Sequence, residues 1–264
     1  MTPREADYLA AARSSLAAAG QGDRDGWLEL FTPDGRVEDP VGSRPHIGPE
    51  QIGRFYDTFI GPRRIGHRSD VDIVTGSTVI RDLTLDVGMG PTVAMTIPVF
   101  LRYVVRECQG ELKIAELQAY WELPSMIAQF SRYGVRAGPP GLELGRALLH
   151  NQGLGGAAGF LWGLRRVGGP HRRLLDALLA AVSAGDERTA RRLLGGASLT
   201  MGDDRPIGPG QLVELLRGAT WAKRIGAGRS IAVAGTAGAV RGVLIVQFAD
   251  DRSISRLRYF TGRS

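Results

Sequence analysis

Apolar positions recur with a helical period at the start of the chain. Leu9, Ala12, Leu16 and Ala19 fall on one face of an Ala- and Leu-rich segment, which predicts a helix over Ala6–Ala19. Gly20-Gln21-Gly22-Asp23 ends it. Asp25 is then placed to cap a short second helix carrying Trp27, Leu28, Leu30 and Phe31. A turn at Pro33-Asp34-Gly35 leads to a short strand, Arg36–Asp39, closed by Pro40. Gly48-Pro49-Glu50 opens a third helix, Glu50–Phe59, with Ile52, Phe55, Tyr56 and Phe59 as its stripe. Beyond it the period falls to two. Strands are expected at Ile65–Thr75, Thr78–Met89, Thr92–Arg106 and Leu112–Glu122, the third alternating over Val93, Met95, Ile97 and Val99. Asp82 and Asp86 are expected to face solvent. Three helices against a long meander predict a cone with an apolar interior open at one end, a natural small-molecule pocket.

The same order then returns. Leu174–Ser183 is a second Ala/Leu helix ending at Gly185-Asp186, followed by a short helix over Glu187–Leu194 and a strand over Ala197–Met201. Arg205-Pro206-Ile207-Gly208-Pro209 parallels Arg44-Pro45-His46-Ile47-Gly48-Pro49, and Leu257-Arg258-Tyr259-Phe260 parallels Gln118-Ala119-Tyr120-Trp121. Strands at Ser230–Ala234, Ala239–Phe248 and Ile254–Phe260 complete the copy. The expected fold class is α+β: two tandem cone-shaped domains, each a curved antiparallel sheet wrapped around helices. Residues 1–124 form the first, 125–172 a helical connector, and 173–264 a degenerate second copy. Ala137-Gly138-Pro139-Pro140-Gly141 should stop any helix. Leu142–Leu164 is apolar but interrupted by Gly153, Gly155, Gly156 and Gly159. Leu142–Trp162 is expected to pack across both copies with Trp162 buried, and 142–173 is also a candidate for contact with a membrane surface.

Composition narrows the classes. Hydrophobic residues at 43% and charged residues at 23% are those of a globular protein. One cysteine, Cys108, excludes an intramolecular disulfide and a Cys-rich zinc site. No metal-ligand cluster or cofactor motif is visible, so neither a metal nor a cofactor is expected. The start lacks a signal-peptide pattern and no apolar run is long enough to span a bilayer, which points to the cytoplasm. Residues 1–124 carry 13 basic and 18 acidic side chains, the remainder 20 and 9. A basic surface of this kind can bind nucleic acid, but the aromatic-studded stripe of a nucleic-acid binder is missing, and no such partner is expected. Docking of the basic copy on the acidic one explains the split and implies a monomer, an internal pseudo-dimer.

Val37-Glu38-Asp39-Pro40-Val41-Gly42, with Phe55-Tyr56 and Ala119-Tyr120-Trp121, resembles the bacterial ketosteroid isomerases. These belong to the nuclear transport factor 2-like superfamily, together with SnoaL-type polyketide cyclases and limonene- and polyether-type epoxide hydrolases. The resemblance covers about residues 6–124 and only weakly 172–262. It implies that Asp39 is the general base that moves a proton on a bound steroid or polyketide, that Tyr56 is a supporting donor, and that Ser15, Phe31, Phe55, Val99 and Trp121 line the ligand. The physical chemistry agrees: a carboxylate at the mouth of an apolar cone loses hydration, and its pKa rises toward a useful range. His67, if it faces inward, would pair with Asp39 as acid and base.

The family's oxyanion hole is not matched. Its helix tyrosine and strand acid align with Ser15 and Val99, and loss of one such donor costs about 2.7–4 kcal/mol of transition-state stabilisation. The expectation is therefore an isomerase-like protein that binds a hydrophobic small molecule. The alternatives are a non-catalytic binder of such ligands, and a polyketide cyclase or epoxide hydrolase in which Asp39 and His67 activate a hydroxyl or water. The second copy has no equivalent base: Thr200 or Gly202 falls at the Asp39 position and Leu216 at that of Tyr56.

Overall fold

The computed structural model describes residues 4–152 and 167–262. Its first part runs α1 (Glu5–Gln21), α2 (Arg24–Glu29), β1 (Phe31–Glu38), β2 (His46–Ile47), α3 (Gly48–Phe55), β3 (Arg63–Thr75), β4 (Thr78–Met89), β5 (Val93–Cys108) and β6 (Glu111–Tyr120). Two helices follow, α4 (Leu123–Ser131) and α5 (Gly138–Ala147). The second part runs α6 (Gly169–Ala184), α7 (Glu187–Leu194), β7 (Ser198–Met201), β8 (Arg205–Pro206), α8 (Pro209–Leu216), β9 (Thr220–Ala227), β10 (Ser230–Ala237), β11 (Val240–Phe248) and β12 (Ile254–Thr261).

Each part builds a six-stranded sheet, and the strand orders correspond one to one: β2-β1-β6-β5-β4-β3 and β8-β7-β12-β11-β10-β9. The sheets are mixed, a correction to the antiparallel expectation. The meander is antiparallel, but β1 lies parallel to β6 and β7 parallel to β12. The helical segments between them carry the chain back so that both strands of each pair run the same way.

Local chemistry explains several boundaries. α1 ends on Gly22 in the left-handed region, φ +71°, and α6 on Gly185 at φ +77°. Asp23, not Asp25, caps α2 by accepting from the Gly26 N–H at 3.0 Å, and Asp186 caps α7 in the same way. The expected third helix divides: α3 stops at Phe55 and a π-helical turn, Tyr56–Ile60, follows. Gly138-Pro139-Pro140 starts α5 where a break was expected, because prolines fit the first helical turn. Strand β9 was not foreseen. Its buried positions are confined to Ile225 and Ala227, with polar residues between apolar ones before them.

The first cone's interior is filled from α1, α2, α3 and the inner face of the meander, including Trp27, Phe55, Val99, Leu101 and Tyr103. The second cone is filled by Leu175, Leu179 and Val182 from α6, Leu212 and Leu216 from α8, and strand residues such as Val233, Leu244, Val246 and Leu257. The sheets' other faces meet each other. Ile73, Ile80, Phe100 and Tyr120 pack on Ile225, Ala232, Val243, Ile245 and Phe260.

Polar groups are built into that contact. Lys223 of β9 reaches the first sheet, where its Nζ lies 2.6 Å from Asp82 Oδ1, 2.7 Å from the Leu83 carbonyl and 3.0 Å from that of Val99. It also sits 4.7 Å from the centre of the Phe100 ring. Asp82 is therefore buried, not solvent-facing as expected. Asp203 of the second copy takes Arg102 at 2.8 Å, Arg258 at 3.0 Å and the Thr78 hydroxyl at 2.5 Å. Of the connector, α4 and α5 cover the mouth of the first cone through Met126, Phe130 and Leu144. Trp162, Arg165, Arg166 and the glycine run from Gly153 to Gly159 lie outside the described residues.

Candidate functional site

Asp39 follows directly on β1. The parallel register of β1 with β6 pairs Val37 with Leu117 and Glu38 with Gln118, which brings the chain after β1 alongside the end of β6. Val41 N–H bonds the Ala119 carbonyl at 2.8 Å. Two residues on, Trp121 donates its indole N–H to Asp39 Oδ1 at 2.5 Å. The Asp39–Pro40 peptide is cis.

Asp39 and Trp121 wall a cavity of about 120 Å³. Apart from Arg63, the rest of the wall is apolar: Phe55, Phe59 and Ile60 from the helical side, Ile65, Leu85, Val87, Met95 and Ile97 from the sheet, and Met126 and Leu144 from α4 and α5 above. The π-helical turn matters here. It delivers Phe59 and Ile60 to the cavity and leaves Tyr56 on the other side, against Trp27 with ring centres 5.3 Å apart.

The electrostatics follow from this wall. Burial lifts the Asp39 carboxyl to about 6, and the Trp121 hydrogen bond, which favours the anion, restrains the rise. One further charged side chain lines the cavity, Arg63 at the start of β3. Its Nη2 is buried and has no hydrogen-bond partner among the described residues. Burial pushes its pKa down while Glu143 on α5 pushes it up; a guanidinium keeps its charge. Asp39 also borders a second, polar pocket of about 190 Å³.

The structure brings Asp39, Phe55 and Trp121 together and places the other expected residues elsewhere. Tyr56 is buried, its hydroxyl has no hydrogen-bond partner among the described residues, and it does not line the cavity. His67 is exposed and also off the cavity wall: it shares the parity of Arg63 and Ile65, but β3 is the sheet edge and solvent reaches it there. The structure therefore does not pair His67 with Asp39. Ser15 is buried with its hydroxyl 2.8 Å from that of Tyr103, whose pKa burial raises to about 12. Val99 is core, and Phe31 packs on Trp27 with ring centres 4.7 Å apart.

Sequence reasoning missed Arg63, Tyr103 and His46. The β5 alternation carried on to Leu101 and Tyr103 would have found the second. His46 is the one residue by which the Arg-Pro-His-Ile segment exceeds its counterpart in the second copy. Among the described residues no group of three His, Cys, Asp or Glu side chains is placed to hold a metal ion, and no helix is long and apolar enough to cross a membrane.

Residues 12–113 match the family described as the SnoaL-like domain. This part of the chain is a SnoaL-like domain of the nuclear transport factor 2-like superfamily. Solved structures similar to the chain include a Δ5-3-ketosteroid isomerase from Mycobacterium sp., at 27% identity over 45% of this chain and 95% of that one, with a TM-score of 0.41. A Mycobacterium tuberculosis protein in complex with estradiol-17β-hemisuccinate is 25% identical over 45% and 95%, also at 0.41. A computationally designed 17-OHP binder is 24% identical over the same shares, at 0.41. Within the SnoaL-like domain, Asp39, Phe55 and Arg63 line the cavity, and Trp121 lies just beyond its matched end.

Proposed function

We propose that the SnoaL-like domain binds a hydrophobic small molecule of the steroid or polyketide kind, and that Asp39 transfers a proton on it. The observation that carries this reading is a carboxyl raised to about 6 on the wall of an otherwise apolar cavity. A base with a pKa near neutrality combines a populated anion with useful proton affinity. Asp39 would take a proton from a carbon next to a carbonyl. Arg63, positively charged and with an Nη2 that has no hydrogen-bond partner among the described residues, would face the negative charge that develops on the carbonyl oxygen. Trp121 would hold the carboxylate in place and discharge no proton itself.

The absence of Tyr56 and His67 from the cavity wall favours a second reading, a binder that has kept the cone without catalysis. The two are separated by one variant. Asp39→Asn keeps the shape and the Trp121 hydrogen bond but loses the basicity. Ligands are first recovered by incubating the protein with a steroid and polyketide panel and identifying by mass spectrometry what stays bound. Proton transfer by Asp39 requires that Asp39→Asn abolish turnover of a retained ligand while affinity stays within about tenfold. Equal turnover in the variant would remove Asp39 from the chemistry, and the absence of any retained apolar compound would remove the site.

A further inference from the structure

The polar pocket next to the cavity is not explained by that reading. Asp39 and Phe59 border both compartments, which makes the two neighbours. Ser43 lines the polar pocket with 7% of its surface exposed, and its hydroxyl has no hydrogen-bond partner among the described residues. A buried hydroxyl without a partner is costly, and a ligand atom that accepts from it removes the cost. Arg44, also on the wall, is exposed and holds no ion pair among the described residues. Arg54, by contrast, is tied to Glu50 on its own helix.

His46 completes the set. Its ring is half-buried, 5.0 Å from that of Phe55, and burial with the neighbouring Arg44 charge pushes its pKa down to about 4. It is therefore neutral near pH 7 and offers one N–H. Beyond Asp39 and the Glu50–Arg54 pair, the wall offers a hydroxyl, a guanidinium, an imidazole and the side-chain amides of Gln51 and Asn151. All of them can donate, and the guanidinium carries a positive charge without an ion-pair partner among the described residues. Their complement is an oxygen acceptor bearing negative charge.

We infer that the polar pocket receives the carboxylate of an amphipathic ligand whose apolar body fills the adjoining cavity, with Ser43 and Arg44 holding the carboxylate. The inference rests on the cavity being a ligand site. It orders the ligand: the apolar part lies under Met126 and Leu144, the reacting centre passes Asp39, and the acidic end reaches Arg44 at the exposed side. The corresponding segment of the second copy, Arg205-Pro206-Ile207, lacks the histidine.

The test uses 2-naphthylacetate and its methyl ester, a pair with one small two-ring body suited to a cavity of about 120 Å³. Affinities are measured by calorimetry on the full chain, the Arg44→Gln variant and the Ser43→Ala variant. The acid should bind the unmodified chain about tenfold more tightly than the ester, and each variant should lose severalfold of that preference with ester affinity unchanged. Unchanged ester affinity also shows that the variants are folded. Equal affinity for acid and ester in the unmodified chain would overturn the carboxylate assignment while leaving the apolar site intact. A preference that survives both substitutions would move the carboxylate away from Ser43 and Arg44 and also overturn it. Failure of both probes to bind at millimolar concentration would remove the ligand site, and this inference with it.

Discussion

Trp121 donates to Asp39 across 2.5 Å, and this one hydrogen bond ties the segment after β1 to the segment after β6. It also opposes the desolvation that raises the Asp39 carboxyl. Trp121→Phe removes the donor and keeps the ring. A hydrogen bond to a charged group is worth about 1.5–3 kcal/mol, and 1.36 kcal/mol corresponds to one pKa unit. The Asp39 titration should therefore move upward by about one pH unit or more. The check is a carboxyl-carbon NMR titration of the variant. A downward or null movement would mean that the indole does not stabilise the anion.

The same carboxyl makes stability depend on pH. Its folded pKa of about 6 lies above the ordinary 3.8, so the folded state holds the proton more tightly than the unfolded chain does. Stability from this group is complete below about pH 4, falls as the pH rises through 6, and is level beyond. Linkage puts the loss at about 3 kcal/mol for a fully desolvated carboxylate and about 2 for one that keeps an edge to water. Asp39→Asn abolishes the dependence. Thermal unfolding should show the variant more stable than the parent at pH 8 and no more stable at pH 3.5.

Lys223 should be expensive to lose. Desolvation outweighs Lys223 at Asp82, whose pKa is raised despite the 2.6 Å contact. Lys223→Ala leaves that buried carboxylate and two carbonyls without their donor. Removing one partner of a buried pair costs about 3–5 kcal/mol. Lys223→Met with Asp82→Leu should recover most of the loss, because both partners are then apolar. Urea unfolding of the single and double variants measures the difference.

Gly42 and Gly228 meet backbone to backbone across the two copies. A Cβ on Gly42 would lie 2.4 Å from the Gly228 Cα, and both residues have positive φ, +95° and +55°. Gly228→Ala must therefore push away the loop that runs from Asp39 through Val41 to Ser43. Apolar-ligand affinity at the cavity should fall by about tenfold, although residue 228 is no part of its wall. Unchanged affinity in a folded Gly228→Ala protein would show that the second copy does not position this loop.

Residues 1–124 expressed alone should not stay monomeric and soluble. Ile73, Ile80, Phe100 and Tyr120 lose the strands that cover them, and apolar patches of that size drive association. The full chain should sediment as a monomer. A well-behaved monomeric fragment in the ultracentrifuge would show that the copies fold independently.

The strands were legible because period two survives wherever one sheet face meets a core. Thr78–Met89 has the observed bounds, and the β5 alternation at Val93, Met95, Ile97 and Val99 is inward as expected. Asp82 was misread for a physical reason: alternation assumes a solvent face, and the second copy buries the back of β4. Asp39, Phe55 and Trp121 were legible as parts of a resemblance. The Tyr56 position was not, because the step from an α to a π turn changes which residues face the cavity and leaves no periodic mark. Arg63 was hidden by its type. An arginine before a strand reads as solvent-exposed until the fold closes a cavity over it.

The filled interior of the second cone has a consequence for stoichiometry. A symmetric pair of cones would offer two equivalent sites and a route for one to influence the other. Here leucines and valines occupy one of the two interiors, so saturation should be hyperbolic, at one ligand per chain. The second copy is then free to diverge at every interior position that preserves volume, and is held to its sequence only along the face it presents to the first.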